Sequence, residues 1–175
     1  MVITGSGHAD LWLRSDSAEA NLEIVLSEVT PDGDEVRIQN GVLRAGFRKI
    51  DQERSDEFTI QLFYGFNDFE PVPVGEWVNV KVPIFPVAHP LRAGSQLRVQ
   101  INTPGGDLPL WYFENRDPGG EGVGYAIGRG GAVASSILLP VLPAGTVEIP
   151  AERPICGALR GQPCRPYVEL ENAPG

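Results

Sequence analysis

The feature that most constrains the fold is a two-residue alternation of apolar and polar side chains in short segments. Residues 21–29 show it well, because Leu22, Ile24 and Leu26 would share one face of an extended chain. Side chains of a β-strand point alternately to opposite faces, so this pattern predicts strands with one buried face. No segment carries the i, i+3, i+4, i+7 stripe of an amphipathic helix. Further strands are expected at residues 9–14, 35–39, 42–49, 58–66, 77–82, 97–101 and 134–141.

Glycine and proline separate these segments. The chain of 175 residues holds 21 Gly and 16 Pro, spread along its length. Residues 31–34, Pro-Asp-Gly-Asp, are typical of a tight turn, and Asn40-Gly41 is a second turn signal. The sequence therefore predicts an all-β sandwich of two antiparallel sheets. The expected core residues are Leu11, Leu13, Leu22, Ile24, Leu26, Val80, Leu97, Val99 and Ile101.

The charge of the chain excludes some partners. Its formal net charge is −9, which repels phosphate backbones, so nucleic acid is not an expected partner. The small basic group of Arg44, Arg48 and Lys49 fits a solvated strand face. No apolar stretch is long enough to span a membrane. The first ten residues lack the basic and apolar regions of a signal peptide.

The sequence carries no signature of a catalytic centre. Serine hydrolases of the α/β type display their nucleophile in G-x-S-x-G, and the chain has no such motif. Ser6 stands two residues before His8 in a Gly-Ser-Gly-His sequence that is expected to be a flexible lead-in. His89 lies between prolines in a turn, where a structural role with its ring bonded to a nearby carbonyl is expected. We therefore predict no catalytic residue in this chain.

Metal and cofactor signatures are also missing from the sequence. The two histidines lie far in sequence from the two cysteines, so the spacing of a zinc site is absent. Asp32, Asp34 and Glu35 could ligate calcium, but turn chemistry accounts for them and the EF-hand pattern is absent. The glycine-rich residues 120–128 match neither G-x-G-x-x-G nor the Walker pattern. We expect no metal and no cofactor.

The two cysteines predict a disulfide. Cys156 and Cys164 lie eight positions apart in a proline-rich segment without alternation, and a small closed loop fits that spacing. The sequence therefore divides into a sandwich domain at residues 1–147 and a tail at residues 148–175 that carries the disulfide loop. A disulfide implies an oxidising compartment, so the protein is expected to be secreted or at the cell surface.

Three stretches carry a further signal when they are read in order. The first, residues 7–48, runs from G-H-A-D-L-W-L-R-S through V-T-P-D-G-D to G-V-L-R-A-G-F-R. The second, residues 80–101, ends in H-P-L-R-A-G-S-Q-L-R-V-Q-I, and the third is A-S-S-I-L-L-P-V-L-P at residues 134–143. Together they resemble the C-terminal domain of X-Pro dipeptidyl-peptidases and cocaine-esterase-like (CocE/NonD) hydrolases.

The resemblance implies a jelly-roll β-sandwich similar to galactose-binding domains. In that family the sandwich packs against an α/β-hydrolase domain that holds the catalytic triad, so the expected function is a non-catalytic accessory domain that shapes the active-site cleft. The parent would be a serine hydrolase of the dipeptidyl-peptidase or esterase type. We expect Trp111, Tyr112 and Phe113 to form the docking surface, because apolar rings in an irregular segment are costly to leave in water. The alternative is an independent carbohydrate-binding module, in which these rings stack on sugars.

Overall fold

A computed structural model of the chain describes residues 1–104, 122–158 and 163–169. Three short 3₁₀ helices lie at Ala45–Phe47, Phe66–Asp68 and Gly131–Val133. No helix in these ranges has the length and apolarity needed to cross a membrane. The strands are β1 (Val2–Ser15), β2 (Asn21–Val29), β3 (Asp34–Arg44), β4 (Trp77–Pro90), β5 (Gln96–Asn102), β6 (Tyr125–Ile127), β7 (Ser136–Leu138), β8 (Val141–Leu142) and β9 (Cys164–Pro166).

The strands form two antiparallel sheets. In the first, β1 pairs with β4 along one edge, and β6, β7 and β8 follow one another along its other edge. The second has the order β5-β2-β3-β9. The predicted all-β sandwich is confirmed.

The core between the sheets uses the apolar face that the alternation predicted. Leu13 of β1, Leu22 and Ile24 of β2, and Val80 of β4 are almost fully buried. The turn at residues 31–34 is confirmed as well, with the Gly33 amide donating to the Thr30 carbonyl at 3.1 Å and a Gly33 φ of 88°. The other predicted core residues of β1 and β2, Leu11 and Leu26, are buried too.

The prediction for β5 is partly wrong. Leu97 is half-buried, while Val99 and Ile101 are 39% and 38% exposed. Both pair with buried residues of β2, Leu26 and Ile24, and so lie on the inner face. However, β5 is the edge of its sheet, and no strand of the first sheet packs closely against it in the described part of the chain. Alternation identifies the face of a strand but not whether the opposite layer reaches it.

Two local predictions are corrected. Asn40-Gly41 is not a turn but lies inside β3, whose extended strand ends at Arg44 and gives way to the 3₁₀ helix Ala45–Phe47. A Cβ on Gly41 would lie 1.9 Å from the Pro83 carbonyl oxygen, so glycine is required there by the close approach of the other sheet. Residues 58–66 are not a strand, since only an isolated bridge between Ile50 and Leu62 forms there.

Candidate functional site

An aromatic surface projects from the loop between β3 and β4. We define it as Phe63, Tyr64 and Phe66, which are 36%, 65% and 97% exposed. This loop meets the end of the sandwich where β1 finishes, because Val72 donates to the Ala18 carbonyl and Gly75 to the Ser15 carbonyl. A fully exposed phenylalanine beside two other exposed rings is unusual on a monomer and marks an interaction surface.

The surface is held in place by the residues around it. Ile60 and Leu62 are buried in the core, and the Phe63 amide donates to the Lys49 carbonyl at 3.0 Å. Phe47 contacts the Tyr64 ring, with centroids 6.0 Å apart. The Phe63 backbone and the Tyr64 ring are therefore held before any partner binds, which lowers the entropy that binding must overcome.

A buried polar network occupies the opposite end of the sandwich, where β2 and β4 end. Glu28 lies at its centre and is 2% exposed. Its Oε2 is 2.7 Å from His89 Nε2, and its Oε1 accepts from Ser95 Oγ at 2.5 Å and Arg153 Nη1 at 2.6 Å. Arg153 belongs to the tail, so the network fixes the tail to the sandwich.

Burial opposes ionisation of Glu28. The hydrogen bonds from Ser95, His89 and Arg153 outweigh that burial and lower the pKa of the carboxyl below its ordinary value. The network is therefore organised around an ionised Glu28 side chain. The structural role expected for His89 fits this arrangement, although its partner is a carboxylate and not a carbonyl.

The network is not arranged as a catalytic triad. In a triad the histidine lies between the serine and the acid, so that it can take the serine proton. Here Glu28 lies between Ser95 and His89, and the Ser95 hydroxyl donates to the carboxylate. This geometry positions the tail and does not activate a nucleophile.

Cys156 and Cys164 are joined in a disulfide, with Cα atoms 5.4 Å apart. Their sulfur atoms and an Asp34 carboxylate oxygen lie within 4.8 Å of one another. Both sulfur atoms are committed to the disulfide, so neither is a thiolate ligand, and one carboxylate does not make a metal site. The disulfide lies next to β9, the strand that the tail adds to the second sheet.

The residues predicted to form the docking surface, Trp111, Tyr112 and Phe113, fall outside the described residues. The basic group is engaged locally: Arg48 pairs with Glu70 at 3.0 Å and Lys49 with Asp68 at 3.4 Å.

The sequence pattern of one protein family matches residues 1–110. That family is described as the X-Pro dipeptidyl-peptidase C-terminal non-catalytic domain. The chain belongs to this family. The family resemblance found in the sequence is thereby confirmed, and the accessory, non-catalytic character of the domain follows from the membership.

Two solved structures share the fold of this family member. Both are of a CocE/NonD family hydrolase from Staphylococcus aureus, with 21% sequence identity and TM-scores of 0.64 and 0.66. The likeness covers 81% of this chain but only 28% of the hydrolase chains. Comparison with the curated proteins finds no match.

Sequence reasoning missed the aromatic surface and the Glu28 network for different reasons. Aromatic residues favour strands, so Phe63, Tyr64 and Phe66 predict a strand, and nothing in their local sequence indicates the exposed loop in which they lie. The Glu28 network joins residues 28, 89, 95 and 153, and nothing in the local sequence links positions that far apart.

Proposed function

We propose that this domain packs on a separate α/β-hydrolase catalytic domain of the same protein and helps to shape its active-site cleft. The observation that carries the proposal is the exposed aromatic surface of Phe63, Tyr64 and Phe66, whose loop is anchored to the sandwich by backbone hydrogen bonds. Burying one such ring against a partner stabilises the contact by about 1.5–3 kcal/mol. Family membership supplies the kind of partner, since these domains belong to larger peptidases.

The proposal extends to three points that the sequence raised. Trp111, Tyr112 and Phe113 belong to the same docking surface. Residues 148–175 form a C-terminal tail that follows the sandwich domain at residues 1–147. The whole protein is secreted or displayed at the cell surface. The disulfide between Cys156 and Cys164 supports the last point, because such bonds persist in oxidising compartments.

The test uses the full-length parent protein and this chain, each with Phe66→Ala. The substitution removes an exposed ring, so we expect the isolated chain to keep its unfolding midpoint. Binding of the chain to a separately produced catalytic domain should weaken about tenfold, which corresponds to about 1.4 kcal/mol. Isothermal titration calorimetry measures the dissociation constant of the chain and the catalytic domain.

Phe85→Ala serves as the matched control, because Phe85 is also an exposed phenylalanine, 42% exposed, but lies on β4. It should leave the dissociation constant unchanged. Equal binding by the Phe66→Ala variant and the unmodified chain would show that the aromatic surface is not the docking surface.

A further inference from the structure

The disulfide lies beside a carboxylate that belongs to a different element. Cys156 lies in the tail, Cys164 begins β9 and Asp34 begins β3. One oxygen of Asp34 and the two sulfur atoms lie within 4.8 Å of one another. Because Asp34 pairs with Pro166 of β9, the sheet itself holds this carboxylate next to the cysteines. Two strands and the tail therefore bring together three groups of the kinds that ligate metals.

The Asp34 side chain differs in one respect from the buried carboxylates of Glu28 and Glu35. Those two accept hydrogen bonds from arginines. Among the described residues, no hydrogen bond or ion pair engages the carboxylate of Asp34, whose backbone amide alone donates to Thr30. The Asp34 carboxylate is half-buried and is available to a group from outside the chain.

Reduction of the disulfide supplies the two missing ligands. Cys156 is exposed, so a dithiol reductant can reach the bond. One thiolate of the reductant attacks a cysteine sulfur to form a mixed disulfide, and the second thiol of the reductant then closes its own disulfide. Two electrons and two protons pass to the chain, which is left with two cysteine thiols. The newly synthesised chain carries the same two thiols before any oxidation.

The dimensions of the cluster fit a tetrahedral zinc ion. Zinc binds thiolate sulfur at about 2.3 Å, so two sulfur ligands of a tetrahedral ion lie about 3.8 Å apart. The sulfur atoms of a disulfide are about 2 Å apart and must therefore separate by less than about 2 Å. Since the Cα atoms of Cys156 and Cys164 are 5.4 Å apart, rotation of the two side chains provides that separation.

The surroundings supply space for a fourth ligand and a compensating charge. Asp34 and Cys156 line a cavity of about 300 Å³, which has room for a water molecule on the ion. Two thiolates and one carboxylate carry one more negative charge than zinc carries positive charge. Arg92 lines the same cavity, and its guanidinium donates to the backbone carbonyls of Pro150 and Glu152. Its positive charge therefore offsets the excess negative charge of the site.

We propose that the reduced chain binds one zinc ion through Cys156, Cys164 and Asp34, with water as the fourth ligand. Zinc displaces the two thiol protons, so the protein ligands are two thiolates and a carboxylate. Two sulfur ligands select zinc over calcium and magnesium, which prefer oxygen. The ion replaces the link that the disulfide makes, so the tail stays joined to β9 in both redox states. The site shares no residue with the aromatic surface and is independent of docking.

The test is a metal titration of the full reduced chain after the reductant has been removed under nitrogen. Co²⁺ is the spectroscopic probe, because thiolate ligands give it charge-transfer absorption in the near ultraviolet. We expect this absorption to saturate at one equivalent of Co²⁺ and to disappear when Zn²⁺ displaces the cobalt. The disulfide-bonded chain and the reduced chain with alkylated thiols should show no such absorption. Absence of saturable absorption in the reduced chain would overturn the proposal.

Asp34→Asn tests the carboxylate ligand. It should weaken Zn²⁺ binding by the reduced chain about tenfold or more, because even a residue that only supports a ligand contributes about tenfold to metal affinity. Asp32→Asn is the matched control, since Asp32 belongs to the same turn and lines the same cavity but not the cluster. It should leave the affinity unchanged. Equal Zn²⁺ affinities of Asp34→Asn and the unmodified chain would refute the proposed ligand set.

Hydrogen exchange gives a readout that does not depend on absorption. The amide of Arg37 donates to the Pro163 carbonyl, next to Cys164. This amide should lose protection when the disulfide is reduced without metal and regain it when Zn²⁺ is added. No recovery of protection at saturating Zn²⁺ would contradict the proposal that the ion replaces the disulfide as the link to β9.

Discussion

Gly41 shows how a single residue sets the distance between the two sheets. Its missing side chain leaves room for the Pro83 carbonyl of β4, which an added Cβ would approach to 1.9 Å. Backbone cannot move aside as a flexible side chain can. We therefore expect Gly41→Ala to lower the free energy of unfolding by about 1–3 kcal/mol, the usual cost of overpacking.

The matched control is Gly130→Ala, at a glycine with extended backbone and nothing within 4 Å of an added Cβ. That variant should change stability by less than about 0.5 kcal/mol. Urea denaturation followed by tryptophan fluorescence gives both values. Equal urea midpoints for the two variants would mean that the sheets can move apart at Gly41 without loss of stability.

Because of Glu28, the stability of the domain should vary with pH in the acid range. Its pKa in the folded protein lies below the ordinary value of 4.5. The stabilisation from a lowered carboxyl pKa is fully present above the unfolded value and is lost as the pH falls through the folded value. Stability should therefore decrease below about pH 4.5 as Glu28 takes up a proton and loosens the tail.

Glu28→Gln tests this dependence. At neutral pH it removes the centre of a buried network and should cost about 3 kcal/mol or more. The difference from the unmodified protein should shrink as the pH falls from about 6 to about 3, because protonated Glu28 is neutral, as the glutamine of the variant is at every pH. Glu70→Gln, which breaks an exposed pair, should cost less than about 1 kcal/mol at every pH. A stability difference between Glu28→Gln and the unmodified protein that stays constant over this pH range would contradict the lowered pKa of Glu28.

At the scale of an element, the disulfide ties β9 to the segment of the tail that Arg153 anchors to the sandwich. Cys164 begins β9 and pairs with Val36, and the Arg37 amide donates to the Pro163 carbonyl at 2.9 Å. Closing so short a loop contributes about 2.5 kcal/mol through the unfolded chain. Since β9 has only three residues, we expect it to detach when the disulfide is opened.

Hydrogen exchange with and without reductant measures this detachment. The amide of Arg37 should lose protection on reduction, while the amides that join β2 and β5 keep theirs. Intact mass after alkylation of the unreduced protein checks the bond itself, because two added alkyl groups would mean free thiols. Unchanged exchange at Arg37 after complete reduction would show that β9 stays paired without the disulfide.

At the scale of the whole molecule, the alternation of apolar and polar residues predicts which side chains are buried in the central strands, but not in the edge strands. Leu22, Ile24 and Leu26 are buried as expected, since their strand has a neighbour on each side and a sheet above it. Val99 and Ile101 show the same alternation but lie at an edge, and edge position is a property of the assembled sheet. The three residues of β9 lie in a segment without alternation, and they reach the sheet through contacts distant in sequence, such as those of Arg153 with Glu28 and Arg165 with Glu35.

The candidate sites were less predictable than the fold for the same reason. One ion cluster unites Glu35 of β3, Arg98 of β5 and Arg165 of β9, and only the strand order makes these residues neighbours. The disulfide was accessible to sequence reasoning because its two cysteines lie eight residues apart. Chemistry within one loop can be inferred from spacing, whereas chemistry across strands requires the topology.

We predict that the chain as a whole has no hydrolytic activity of its own. Ser95, His89 and Glu28 are the three residue types of a hydrolytic triad, and they lie together in a buried network. Because Glu28 separates the other two, His89 does not reach the Ser95 hydroxyl. That hydroxyl donates a hydrogen bond to the Glu28 carboxylate, which is a weak base because its pKa is lowered. We expect the chain to hydrolyse p-nitrophenyl acetate no faster than its Ser95→Ala variant does. Turnover that disappears in Ser95→Ala and is blocked by a serine-directed inhibitor would mean that the network rearranges into a catalytic site.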